Sequence, residues 1–160
     1  MQPNFIYLLA VGLIPLIIGS IWYNPKVFGT AWMRASGKTE KELAGGNLAV
    51  ILGLSYLLSV LLAAGLMGSV IHQSGVSQLF ADGSPESIKF LEDFMSKYGR
   101  LHRTAGHGAL HGGLFAVLVA LPLIAINALF ERRGGKYIGI HFGYWFVTLT
   151  LMGTAIGHFV

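Results

Sequence analysis

The sequence contains four long apolar stretches that carry no charged side chain in their interior. They lie at residues 5–23, 47–71, 105–130 and 137–159. A helix needs about 20 mostly apolar residues to cross the hydrocarbon core of a bilayer, so each stretch is long enough to be a transmembrane helix. None shows the strict alternation of a membrane β-strand. We therefore predict an all-α fold, a four-transmembrane-helix bundle that forms a single integral membrane domain over residues 1–160.

The composition supports a membrane environment. Hydrophobic residues make up 54% of the chain and charged residues only 11%, whereas soluble domains have about 25% charged residues. There is no cysteine, which excludes disulfides and thiolate metal sites. The basic residues behind the net charge of +4 lie in the loops between apolar stretches. We therefore expect them to contact anionic lipid headgroups and not nucleic acid.

The basic residues also predict the orientation of the chain in the membrane. More Lys and Arg side chains lie in the first and third loops than in the second, and the two termini carry none. Loops rich in Lys and Arg stay in the cytoplasm. We therefore expect the first and third loops on the cytoplasmic side and both termini on the opposite side.

The second loop contains an additional amphipathic helix, predicted over residues 85–101. Ser84 followed by Pro85 is typical of a helix start. Apolar side chains then recur at helical spacing, and charged side chains fill the other face. The apolar face either covers the end of the bundle, lies on the lipid headgroups or docks a helix of a partner protein.

The end of the first stretch carries an aromatic segment broken by proline. Its notable residues are Trp22, Tyr23, Pro25, Phe28, Gly29 and Trp32. Indole and phenol rings are enriched where a helix leaves a bilayer, and proline ends the helix. We predict that this segment anchors the chain at the membrane interface, with the polar edges of its rings facing water.

Small residues recur every fourth position in the other three stretches. They are Ser55, Ser59 and Ala63 in the second, Gly108 and Gly112 in the third, and Gly139, Gly143, Gly153 and Gly157 in the fourth. Apolar faces do not drive helix association in lipid, so close backbone approach through small residues holds helices together. These faces serve either the internal bundle or a homo-oligomer.

Histidines form the most distinctive polar feature. His107 and His111 are four apart and share one face of the third stretch. The antiparallel arrangement brings His72 and His158 to the same side of the membrane, which gives a candidate site for a divalent metal. A quinone, a haem or a proton relay would use the same imidazoles. The plain structural alternative is that they hydrogen-bond between helices.

The chain resembles a known family through two sets of motifs. The first is Gly19-x-x-Trp22-Tyr23-x-Pro25-x-x-Phe28-Gly29-x-x-Trp32-Met33, and the second comprises Asn127-x-x-Phe130-Glu131-Arg132, Gly143-Tyr144-Trp145 and Met152-Gly153. Together they are similar to a bacterial family of small four-span membrane proteins, domain of unknown function 1761. The resemblance implies the four-span fold and a bacterial inner-membrane location. With the orientation that the basic loops predict, both termini would then be periplasmic. It implies no activity and no site residues.

No catalytic grouping stands out in the sequence. The apolar stretches hold no carboxylate beside a serine and a histidine, and there is no glycine-rich phosphate loop. We therefore predict a non-enzymatic structural or accessory subunit, without a cofactor, that self-associates or joins a larger membrane complex. One alternative is a carrier or channel for a small solute or ion, favoured by Pro15 and Pro122 inside spans. The other is a metal-, quinone- or haem-binding component that uses the histidines.

Overall fold

The structure, a computed structural model, describes residues 6–44 and 46–160; Phe5, where the first predicted stretch begins, lies outside them. The described residues form helices joined by turns, without a β-strand among them, so the all-α class is confirmed. The α-helices are α1 Ile6–Val11, α2 Ile14–Trp22, α3 Thr30–Ser36, α4 Glu40–Leu43, α5 Leu48–Val70, α6 Gln73–Leu79, α7 Pro85–Tyr98, α8 Ala105–Phe115, α9 Leu121–Phe130 and α10 Gly135–Phe159. Two π-helical turns, Pro25–Gly29 and Ala116–Ala120, lie between them.

Both prolines inside the apolar stretches coincide with irregular helix. Pro15 lies in the first turn of α2, and the preceding helix α1 already ends at Val11. This is the position where the missing N–H of proline costs no hydrogen bond. Pro122 lies in the first turn of α9, directly after the π-helical turn Ala116–Ala120. The wider turn absorbs the clash between the proline ring and the preceding turn, so the helix continues from α8 into α9.

The chain bends sharply after α2. Asn24 takes an extended conformation, and its side-chain oxygen accepts a hydrogen bond from the N–H of Lys26 at 2.9 Å. This cap starts the π-helical turn and α3, which are bent by 54° relative to the segment Ile6–Trp22. The aromatic segment is therefore a helical elbow, not an extended loop.

The described helices include two that are long and apolar enough to cross a membrane. They are Leu48–Val70 and Ala105–Phe130, and a third arises if the bent pair Ile6–Trp22 and Pro25–Ser36 is one span. Helix α10 has 25 residues but is not among these candidates. The predicted number of four spans is therefore not confirmed, although the chain is consistent with a membrane protein.

Helix α10 occupies the centre of the bundle. Its neighbours include α1, α2, α3, α5, α8 and α9. The largest of the fully buried side chains come from α10, from α5 and from the turn after α5: Leu66, Val70, Ile71, Thr148, Leu149, Met152 and Ile156. This central position explains why the last apolar stretch tolerates more polar residues, since its surroundings are protein.

The amphipathic helix is present as α7. Ser84 caps it by accepting a hydrogen bond from the N–H of Ser87 at 3.2 Å, and it ends at Tyr98 with Gly99 as C-cap. The helix is thus three residues shorter than the range predicted from the sequence. The amide nitrogen of Gln73 in α6 donates to the carbonyls of Tyr98 and Leu101, at 2.8 and 2.9 Å, and ties the end of α7 to α6.

Candidate metal centre

Three of the histidines converge where α5 and α6 meet α8. His72 lies in the turn between α5 and α6, as the N-cap residue of α6. His107 and His111 lie in the first two turns of α8, which Thr104 caps by accepting a hydrogen bond from the N–H of His107 at 3.2 Å. The pairing of helix positions four apart with a turn from another helix is what brings the rings together.

The three rings are close enough to share one ion. Nε2 of His72 lies 2.9 Å from Nε2 of His107. The ring centroids of His72 and His111 are 4.8 Å apart, and those of His107 and His111 are 4.5 Å apart. One ligand nitrogen from each ring lies within 4.8 Å of the other two. In a tetrahedral site with Zn–N bonds of about 2.0–2.1 Å, two ligand nitrogens lie about 3.3 Å apart. Side-chain shifts of a few tenths of an ångström to about 1.5 Å would therefore bring the three nitrogens to the distances that one ion requires.

The chemistry of the three side chains selects the kind of ion. Imidazole nitrogen is a neutral ligand of intermediate softness, suited to Zn²⁺, Cu²⁺, Ni²⁺ or Co²⁺. Ca²⁺ and Mg²⁺ require oxygen ligands, and the group contains no carboxylate. Because the rings of His72 and His107 meet at hydrogen-bond distance, a single ion fits this group better than a flat macrocycle.

The fourth histidine expected here lies elsewhere. His158, near the end of α10, packs against Phe159 with ring centroids 4.6 Å apart. It lines a separate cavity of about 170 Å³ together with Arg100 and Arg103. The histidine that instead adjoins the group is His102, whose ring stacks on that of His107 at a centroid distance of 5.0 Å. Sequence reasoning passed over it because it lies in a loop, outside any helical register.

A second polar cluster surrounds His141 of α10. The indole N–H of Trp32 donates to Nε2 of His141 at 3.1 Å, and the Tyr23 hydroxyl lies 3.0 Å from Nδ1 of the same ring. Tyr137 packs beside it, with ring centroids 4.4 Å apart. No local pattern indicates this contact, because Tyr23 and His141 are separated by most of the chain.

The other residues of the aromatic segment contact the same part of α10. The indole N–H of Trp22 donates to the carbonyl of Ile140 at 3.1 Å, and the Trp22 ring packs on Phe28 at a centroid distance of 4.4 Å. Gly29 packs against the backbone of Tyr23, where an added Cβ would lie 2.2 Å from the carbonyl oxygen. Pro25 opens the π-helical turn. The polar edges of Trp22, Tyr23 and Trp32 therefore meet protein groups, which differs from the expected contact with water.

The predicted small-residue faces fall into two groups. Gly108 and Gly112 of α8 pack against Gly153 and Gly157 of α10 so closely that an added Cβ on any of them would lie 2.0–2.4 Å from a backbone oxygen of the facing segment. These four glycines therefore serve the internal bundle, because larger side chains would not permit such a close approach of the two backbones.

The remaining small residues have other surroundings. Gly143 adjoins the Trp22 ring, whereas Gly139 has no neighbour within 4 Å of an added Cβ. Ala63 is fully buried. Ser55 and Ser59 line an open, mostly apolar cleft of about 510 Å³ between α2, α5 and α10, beside Tyr144. The face of α5 is thus only partly covered by the chain itself.

Comparison with known proteins places the chain in a family. No curated protein and no solved structure matches it. The family model described as protein of unknown function, DUF1761, matches residues 6–157. This match spans nearly the whole chain, including the aromatic segment, the histidine group and all of the described helices except the last residues of α10. The chain therefore belongs to the DUF1761 family.

Proposed function

We propose that this chain is a non-enzymatic, multi-pass membrane protein that binds a divalent transition metal through His72, His107 and His111. The observation that carries the proposal is the convergence of three imidazoles, from two separate parts of the chain, with ligand nitrogens within 4.8 Å of one another. Three histidine nitrogens are one of the ligand sets by which proteins hold Zn²⁺.

The helical fold and the charges of the loops together support a topology with four membrane crossings. Helices α5 and α8–α9 supply two crossings, the bent segment of α1–α3 a third, and α10 a fourth inside the bundle. Four crossings place both termini on the same side, which the basic loops favour as the periplasmic side of a bacterial inner membrane. The histidine group then lies on that outer side, where metal ions from the medium reach it.

Metal binding is tested directly on protein purified in mild detergent and stripped with a chelator. We expect one equivalent of Zn²⁺ to bind in calorimetry and elemental analysis, and His72→Ala, His107→Ala and His111→Ala each to abolish or strongly weaken it. His158→Ala is the matched control, since it removes a histidine that lies outside the group. The proposal fails if the unaltered protein takes up no Zn²⁺, or if His158→Ala weakens binding as much as the other three variants.

An accessory role follows as a second proposal, which the exposed helix faces support. Only 17% of the apolar window of Leu48–Val70 and 11% of that of Ala105–Phe130 are buried within the chain. Such faces contact lipid, a second copy or a larger complex. Cross-linking and size analysis in mild detergent test this role, and we expect an oligomer or a copurified membrane protein. A monomer that copurifies with nothing contradicts it.

A further inference from the structure

The loop between α7 and α8 carries a histidine that adjoins the three-histidine group. His102 is exposed and has a positive φ of 62°, an uncommon backbone conformation for a residue other than glycine. Its ring lies 5.0 Å from that of His107 and 6.5 Å from that of His72, measured between ring centroids. The left-handed backbone turns this side chain back toward α8.

The ring separations can be compared with those of a tetrahedral site. With Zn–N bonds of about 2.0–2.1 Å, the centroids of two imidazoles on one ion lie about 5 Å apart. The rings of His72 and His107 have a centroid distance of 5.0 Å, and those of His102 and His107 have the same distance. The gap between His102 and His72, at 6.5 Å, exceeds the tetrahedral value by little more than 1 Å. Rotation of an exposed side chain covers that difference.

The backbone that carries His102 is held in place on both sides. The buried amide of Gln73, the residue after His72, donates to the carbonyl of Leu101 at 2.9 Å. On the other side, the Arg103 guanidinium donates to the carbonyl of Val160 at the end of α10. The backbone of His102 is thereby fixed beside the group, and only its side chain has to move.

The buried amide has an unused acceptor. Oε1 of Gln73 is buried and has no hydrogen-bond partner among the described residues. Imidazoles that bind a metal donate their second ring N–H to acceptors of this kind, which fixes the ring. Gln73 directly follows the ligand His72 in the chain, and the other end of the same side-chain amide holds the carbonyl of Leu101, the residue before His102.

We propose that His102 is the fourth ligand, and that it closes the site into a four-histidine centre that links the loop after α7 to α8. This inference rests on the proposed metal binding. A site with four protein ligands is of the structural kind, whereas three ligands and water leave a position for substrate. The bound ion would therefore fasten the amphipathic helix α7 to the bundle instead of performing chemistry.

Cobalt spectroscopy distinguishes the closed site from the open one. Co²⁺ is loaded in place of Zn²⁺, and azide is then added as a small ligand for a free coordination position. We expect the visible spectrum of the unaltered protein to be unchanged by azide, and that of His102→Ala to shift. We also expect His102→Ala to weaken Co²⁺ binding by about tenfold or more, since even outer partners of a metal site contribute 10–100-fold.

A neighbouring truncation provides the control. Leu101→Ala shortens an exposed side chain in the same loop, and we expect it to keep the affinity and the azide resistance of the unaltered protein. The role of His102 is overturned if azide shifts the Co²⁺ spectrum of the unaltered protein and if His102→Ala binds Co²⁺ with unchanged affinity. That result leaves the three-histidine site intact. Failure of the unaltered protein to bind Co²⁺ or Zn²⁺ overturns the proposed function itself.

Discussion

Trp32 donates a hydrogen bond from its indole N–H to Nε2 of His141, across 3.1 Å. An indole nitrogen is only a donor, so Nε2 must be the unprotonated nitrogen of the ring. The proton of the neutral imidazole therefore lies on Nδ1, which donates to the Tyr23 hydroxyl 3.0 Å away. A single contact between two helices thus assigns the tautomer of a histidine and the direction of a second hydrogen bond.

The assigned tautomer can be observed by nitrogen NMR. In protein labelled with ¹⁵N-histidine, we expect His141 to give the pattern of a neutral ring protonated at Nδ1. Trp32→Phe removes the donor to Nε2, and we expect the ring then to sample the other tautomer. A ring protonated at Nε2 in the unaltered protein would contradict the assignment.

Loss of the His141 side chain is expected to destabilise the bundle. His141→Ala removes the partner of both Trp32 and Tyr23, and a partly buried donor left without an acceptor costs about 1–3 kcal/mol. His158→Ala, on the same helix but without these contacts, is expected to have an effect of at most about 0.5 kcal/mol. Reversible unfolding in mixed micelles, followed by circular dichroism, measures the difference. Equal stability of the two variants would show that the cluster contributes nothing.

Gly139 and Gly153 of α10 belong to the same kind of small-residue pattern, but their replacement by alanine is expected to change the stability of the protein differently. An added Cβ at Gly153 would lie 2.2 Å from the carbonyl oxygen of Gly108, whereas one at Gly139 meets nothing within 4 Å. We expect Gly153→Ala to destabilise by about 1–3 kcal/mol through forced separation of the helices. Gly139→Ala should be neutral or stabilise by up to about 1 kcal/mol, because alanine restricts the unfolded chain. The same unfolding measurement decides, and similar destabilisation by both substitutions would contradict this packing.

The capping box of α4 is expected to respond to pH. The Glu42 carboxylate accepts hydrogen bonds from the backbone N–H and from the side-chain hydroxyl of Thr39. Both lower the pKa of the Glu42 carboxyl, and the backbone hydrogen bond is the larger cause. A carboxyl whose pKa is lower in the folded state stabilises the fold above its ordinary pKa, and this contribution is lost as the pH falls through the folded value. We expect Thr39→Ala to raise the pKa of Glu42 toward its ordinary value. The backbone N–H of residue 39 remains in this variant, so the pKa is expected to rise only part of the way. Carbon NMR titration of the Glu42 carboxyl measures it, and an unchanged pKa would exclude a contribution from the Thr39 side chain.

Zinc is expected to raise the thermal stability of the protein. A ligand that binds only the folded state stabilises it by about 2.7 kcal/mol at a free concentration of 100 times its dissociation constant. We expect the melting temperature to rise with Zn²⁺ in the unaltered protein and in His158→Ala, and to stay constant in His111→Ala. Equal zinc responses of His111→Ala and the unaltered protein would place the ion elsewhere.

Much of the local structure followed from the sequence. The start of α7 was predictable because Ser84 and Pro85 act on the turn that they belong to. The position of His107 and His111 on one face required only helical periodicity. The predicted metal ligand His158 lies away from the three-histidine group, whereas His102 adjoins it. The position of His158 depends on how far α10 extends, and that of His102 depends on the path of the loop between α7 and α8.

The sequence by itself determined that the chain is helical, apolar over long stretches and interrupted at Pro15, Pro122 and Asn24, since these properties depend on composition, periodicity and nearest neighbours. Only the tertiary structure decided which glycines touch, where the rings of the aromatic segment find their hydrogen bonds, and which histidines meet. Those outcomes depend on the angle and register at which α8 and the elbow after α2 pack on α10. Packing of side chains far apart in the chain sets that register, and no local pattern records it.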